Sequence, residues 1–225
     1  MTIKVGLVQV NNEFTGQCYL PYSVGILQAY AQKYLPNPEN YQFLTPIYKR
    51  ITITEAVSYL MGADLVAFST YVWNFEISKA IAAEFKQKNP EALVVFGGPH
   101  IPDEMKQFTR IKKSQPGLVD LRPKRIGITK KFHLECPYVD MACHGEGEIV
   151  FASILERFAI DRCNDKSAIP SVSYIDSGGL FHQNFRAGRL FDLSKVPLPF
   201  ASGVFDSLME AYPQQHWIAM WETDR

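Results

Sequence analysis

Four short segments place glycines, hydroxyls and flat rings directly beside apolar runs: "LPYSVGILQAYA" (20–31), "ADLVAFSTYVWN" (63–74), "ALVVFGGPHIP" (92–102) and "YVDMACHGEGE" (138–148). Ser69 and Thr70 supply short hydrogen-bonding groups. Gly97 and Gly98, followed by Pro99 and His100, remove two consecutive side chains, and Gly145 and Gly147, either side of Glu146, do the same again. Tyr19, Tyr22, Tyr71 and Trp73 supply aromatic walls. This set suits the binding of a large conjugated ring whose narrow tail lies on bare backbone. It contains no convincing pair of acid and base, and no nucleophile with its activating partner.

Plainer roles fit each residue taken singly. Gly97–Gly98 would also end a strand and open a turn, and Ser69–Thr70 are ordinary strand-end residues. "GEGE" suits a helix start, where acids meet the positive end of the helix dipole. His100 and His144 read first as hydrogen-bonded loop residues, and Cys136 and Cys143 as apolar filling.

Several familiar chemistries lack their residues. The Walker pattern GxxxxGK[ST] is absent. The loop after the first apolar run holds only Gly16, against the three glycines of a dinucleotide fingerprint. Ser69 stands where a phospho-receiver domain needs an aspartate. Thr15 and Gly16 match two residues of a flavin phosphate loop, which keeps a stand-alone FMN- or nucleotide-binding protein as the alternative. Cys18, Cys136, Cys143 and Cys163 form neither CxxC nor CxxxCxxC, so they offer no closed zinc or iron–sulfur ligand set, and their spacing fits a reducing compartment.

The chain has 225 residues, 47% hydrophobic and 20% charged, with a formal net charge of zero. A nucleic-acid partner is not expected from that balance. No apolar run reaches the roughly 20 residues that span a bilayer, and "MTIKVGLVQV" reads as a strand, not a signal peptide. A cytoplasmic protein with no membrane partner is expected.

The elements that must position the four segments alternate. "IKVGLVQV" (3–10), "NYQFLTPIY" (40–48), "ADLVAFST" (63–70), "ALVVFGG" (92–98) and "YVDMACHG" (138–145) read as strands. The intervening runs read as helices. Val24, Leu27, Ala31 and Leu35 share one face, Thr52 or Thr54 caps the next helix, which Gly62 ends, and Asn74 caps a third with Ile77, Ile81 and Phe85 inside. Alternation of this kind predicts an α/β fold, a flavodoxin-like doubly wound five-stranded parallel sheet over residues 1–160. Residues 106–134 interrupt it and read mostly as an inserted loop. Beyond 160, "IPSVSYIDSGGLFHQN" predicts a β-hairpin and "DLSKVPLPF" a stiff linker, together 161–213. "HWIAMWETDR" predicts a last strand that either pairs back onto this domain or opens another. In doubly wound sheets the ligand lies at the carboxyl ends of the strands, where all four segments fall.

In their order, these segments resemble the cobalamin-binding domain at the N-terminus of class B radical SAM enzymes. Residues 161–213 resemble that family's connecting segment, and "WETDR", within 214–225, resembles the first strand of the radical SAM barrel. The resemblance implies that Ser69 and Thr70 contact the buried nucleotide tail of cobalamin, that Gly97 and Gly98 give way to the corrin or its tail, and that Gly145, Glu146 and Gly147 close over it. Tyr22, Tyr71, Trp73, Pro99 and His100 complete the implied cofactor-binding set. The Asp-x-His-x-x-Gly motif, whose histidine ligates cobalt from below in some cobalamin domains, is absent, so base-off cobalamin without a histidine lower ligand is implied. The family's 4Fe–4S cluster and S-adenosylmethionine would belong to a downstream radical SAM domain, the implied partner. The chain ends at Arg225 before any cluster motif, so alone it is expected to be inactive. The full-length protein would carry out methyl transfer or related radical chemistry.

Overall fold

The computed structural model describes residues 2–11, 17–104 and 127–220. In chain order the strands are β1 (Ile3–Val8), β2 (Cys18–Tyr19), β3 (Tyr41–Phe43), β4 (Leu65–Ser69), β5 (Leu93–Gly97), β6 (Met141–Cys143), β7 (Val172–Ile175), β8 (Phe181–Gln183) and β9 (Trp217–Ile218). The helices are α1 (Tyr22–Tyr34), α2 (Ile53–Leu60), α3 (Phe75–Lys88), α4 (Ile128–Glu135), α5 (Gly147–Asp161) and α6 (Asp206–Ala211).

Five strands pair in parallel in the order β3-β1-β4-β5-β6, the doubly wound arrangement that the alternation predicts. The hairpin β7–β8 adds two antiparallel strands beyond β6, so the main sheet has seven. β4 is buried along its whole length, as a parallel strand covered on both faces must be. One face of the sheet packs on α2, α3 and α4 through Val57, Leu60, Ile81, Phe85 and Phe132. The other packs on α1 and α5 through Val24, Ala31, Val150, Ile154 and Phe158.

Local signals explain most helix ends. Between Thr52 and Thr54, the structure selects Thr52: its hydroxyl accepts from the Glu55 N–H at 3.2 Å, and Glu55 accepts from the Thr52 N–H at 2.9 Å. This reciprocal pair is a capping box. Asn74 does not cap α3 as its position suggests, because its side chain makes no bond to the helix's free N–H groups. It is spent on the strand ends instead. Residues 106–126 of the expected insertion, and Thr15–Gly16 of the flavin alternative, lie outside the described residues. Ile128–Glu135 is helical where a loop was expected, because Thr129, Phe132 and His133 turn to one buried face.

The segment after the hairpin docks on the domain. Val204, Phe205 and Leu208 form a third apolar cluster with Leu20, Ala29 and Tyr48, joined at its edge by Phe200, Tyr212 and Trp217. β9 pairs in parallel with β2, so Trp217–Ile218 turn back onto this chain, while residues 221–225 lie outside the described residues. Among the described residues, no helix is long and apolar enough to cross a membrane.

Gly25 on α1 makes this docking possible. A Cβ there would lie 2.1 Å from Cζ of Phe205, whose ring is almost fully buried. Gly25→Ala therefore lowers stability by about 1–3 kcal/mol through overpacking, although alanine favours helix. Phe205→Leu in the same chain recovers part of that loss, measured as a coupling energy in thermal or urea unfolding.

Candidate functional site

Strand ends of this kind leave backbone groups without ladder partners. At the carboxyl end of β4 the buried Asn74 side chain takes up three of them. Its Nδ2 donates to the carbonyls of Val10 and Ser69, each at 3.1 Å, and its Oδ1 accepts from the Tyr71 N–H at 2.8 Å. The loops after β1 and β4 are thereby locked side by side. Thr70 binds the next strand: its N–H and its hydroxyl both donate to the Gly97 carbonyl, each at 2.7 Å, and its carbonyl accepts from the His100 N–H at 3.2 Å.

These loops border a cavity of about 2060 Å³. An ordinary small-molecule site has roughly 300–1,000 Å³, so this one has room for a macrocycle with a tail. Of the expected set, Tyr22, Ser69, Tyr71, Trp73, Gly97, Gly98, Pro99, His100, Gly145, Glu146 and Gly147 line it. Thr70 does not line it. It is completely buried, and its hydroxyl is held by Gly97, so it shapes the wall from behind and has no group to offer a ligand.

The aromatic residues form two stacks. Tyr71 and Trp73 lie nearly parallel with ring centroids 4.6 Å apart, and Tyr22 stacks on Phe200 at 5.8 Å. The Tyr71 hydroxyl is 2.6 Å from Ser23 Oγ, which ties the β4 loop to the start of α1. His100 is exposed and meets Phe75 edge-on at 4.5 Å. Glu146 has a partner inside the chain: its carboxylate accepts from the Leu190 N–H at 2.8 Å and faces Arg189 at 3.4 Å. Arg186 reaches Asp103 at 2.5 Å. These bonds strap residues 186–190 across the cavity. Cys143 also lines it, but burial pushes its thiol up to about 12, so it is a neutral thiol at neutral pH.

The two glycines of the β5 loop differ. Gly98 has φ +103°, and a Cβ there would lie 2.6 Å from the Thr70 carbonyl oxygen and 2.8 Å from its nitrogen. A side chain at Gly98 is therefore excluded by this chain's own backbone. At Gly97 a Cβ would meet only Cys143, at 3.6 Å, so that position is open toward the cavity.

Residues with no signal in the sequence complete the site. His144 and His133 both point Nε2 at the hydroxyl of Ser173 on β7, at 2.8 and 2.9 Å. All three are buried, and His144 lines the cavity. Burial pushes the His133 imidazole down to about 4, offset in part by the carbonyls of Val139 and Ser173. Among the described residues, no group of three or more His, Cys, Asp or Glu could hold a metal ion.

The described residues thus form a doubly wound α/β domain with a large aromatic-walled cavity at its strand ends. No family model matches the chain. It is 31% identical over 209 residues to the cobalamin-dependent radical SAM methyltransferase TokK of Streptomyces tokunonensis. Identity is again 31% to the 2-(S-pantetheinyl)-carbapenam-3-carboxylate methyltransferase of Streptantibioticus cattleyicolor. Each match covers 92% of this chain and 27% of the relative. The structure of the cobalamin-dependent S-adenosylmethionine radical enzyme OxsB with aqua-cobalamin and S-adenosylmethionine bound superposes with a TM-score of 0.64 at 16% identity, over 96% of this chain and 26% of that one. With aqua-cobalamin alone bound, its TM-score is 0.63. Over 92% of its length the chain is thus similar to cobalamin-dependent radical SAM methyltransferases, and it spans about a quarter of the length of these relatives.

Two outcomes follow from this geometry. Gly98→Ala destabilises the fold by about 1–3 kcal/mol through backbone strain and overlap, whereas Gly97→Ala leaves the unfolding midpoint within error. His133 takes up its proton near 6.5 when unfolded but near 4 when folded. Its contribution is therefore unimpaired above pH 6.5 and is lost as pH falls toward 4, by up to about 3 kcal/mol. Urea unfolding between pH 7 and 4.5 should fall less steeply with acid for His133→Gln than for the unaltered chain. Equal slopes would contradict the burial argument.

Proposed function

We propose that this chain is the cobalamin-binding module of a radical SAM enzyme. The observation that carries the reading is the cavity of about 2060 Å³, bordered by all four of the segments that resemble the family. Residues 1–160 form the binding domain, 161–213 the hairpin and linker, and 214–225 the approach to a radical SAM barrel. Cobalamin would lie base-off with its tail between the ends of β1, β4 and β5, and the stacked Tyr71 and Trp73 against the corrin. Support for the absence of a histidine beneath cobalt comes from the sequence, which lacks Asp-x-His-x-x-Gly, and from His100, which is exposed at the mouth.

Cobalamin held here would supply the cobalt chemistry of methyl transfer or related radical reactions in the whole protein. The residues of this chain bind and orient the cofactor, and none acts as acid, base or nucleophile. Asn74 and Thr70 hold the loops that receive the tail, and the strap at 186–190, anchored by Glu146 and Asp103, limits entry of water. In the whole protein, methyl transfer would draw on a 4Fe–4S cluster and S-adenosylmethionine held by the downstream domain.

The test is a visible-absorption titration of the purified chain with hydroxocobalamin, with FMN in parallel. A saturable spectral shift and co-elution of cobalamin through gel filtration are expected. Gly97→Leu, which projects a side chain into the cavity at the β5 end without straining the backbone, should abolish both. Retention of FMN while cobalamin passes through would replace this reading with the flavin one.

A further inference from the structure

We propose that His144 is a ligand-binding residue, whose Nδ1 hydrogen-bonds to the molecule in the cavity. The partner group is a carboxamide or a sugar hydroxyl, both of which cobalamin carries. This inference deepens the cobalamin reading and rests on it.

The argument starts from one serine. Ser173 Oγ lies 2.8 Å from Nε2 of His144 and 2.9 Å from Nε2 of His133. A hydroxyl has a single proton. It donates to one ring and must accept from the other, so the two imidazoles carry opposite roles at Nε2. His133 is buried and has the Val139 and Ser173 carbonyls against its ring. In His144, by contrast, Nε2 alone has a partner, the Ser173 hydroxyl.

The His144 Nδ1 is buried and has no hydrogen-bond partner. Buried polar atoms without a partner are rare in folded proteins, and each one calls for a missing water or ligand. His144 lines the cavity and is only 3% exposed, so the group that approaches its Nδ1 is one seated in that cavity. His133 and Ser173 are positioning residues: the serine hydroxyl holds the His144 ring at Nε2, and His133 holds the serine. No spacing in the sequence announces the trio, because Ser173 lies 29 residues from His144 and 40 from His133.

Two substitutions separate a ligand contact from a structural role. His144→Gln places an amide group near the position of Nε2, so it keeps the bond to Ser173 and loses the group at Nδ1. His144→Asn places its amide near the position of Nδ1, so it keeps a hydrogen-bonding group there and loses the serine. In hydroxocobalamin titrations of the 225-residue chain, His144→Gln should bind about tenfold more weakly than the unaltered chain, and His144→Asn within about threefold of it. The reverse order, or equal affinities, would overturn the proposal and leave the cobalamin reading standing. If the unaltered chain binds no cobalamin, that reading fails first and this inference with it. Long-range proton–nitrogen NMR of the unaltered chain needs no folded variant. The His144 Nδ1 signal should move when cobalamin is added, and an Nδ1 signal that does not respond would overturn the proposal.

Discussion

One buried carboxamide sets the geometry of the strand ends. Asn74 spends both ends of its side chain on the backbone of two loops, and thereby holds the end of β1 against the end of β4. In a parallel sheet these loops lie where strand order reverses, so neither is supported by a neighbouring strand. Without the amide, two buried carbonyls and one N–H would be left without partners, each at a cost of about 1–3 kcal/mol. The site is therefore a by-product of satisfying the backbone. The cavity remains where the loops are fixed apart and no side chain fills the gap.

The same economy runs through the next loop. Thr70 and Gly98 are in mutual contact: the threonine backbone occupies the space where a Gly98 side chain would go. A glycine pair that resembles a ligand cradle thus divides into one residue required by the fold and one that faces the cavity. Ligand space and backbone strain are separate causes of the same residue type. Only the surroundings tell them apart.

The wall opposite is built by residues from the C-terminal third of the chain. Glu146 holds the strap at Leu190, Asp103 holds Arg186, and Phe205 packs into the notch left by Gly25. The hairpin at the sheet edge brings Ser173 between His133 and His144. This region thus extends the main sheet and finishes the cavity.

Much of this was legible in the sequence. The strand–helix alternation carried the doubly wound sheet, because burial on both faces demands apolar runs with a period that a sequence displays directly. The T-x-x-E spacing carried the α2 start, and the four glycine- and aromatic-bearing segments carried the location of the cavity, since doubly wound topology places them at one end. The roles within that cavity were decided only by the tertiary structure. Thr70 turned away from it, Asn74 left its helix for the strand ends, and Gly98 answered to Thr70. The histidine–serine trio joined residues from α4, the β6 end and β7. Such pairings are set by distances across the sheet, and a hydrogen bond between residues far apart in sequence leaves no periodic trace. The sequence by itself determined which segments meet; only the folded chain decided which atoms are satisfied there and which remain for a ligand.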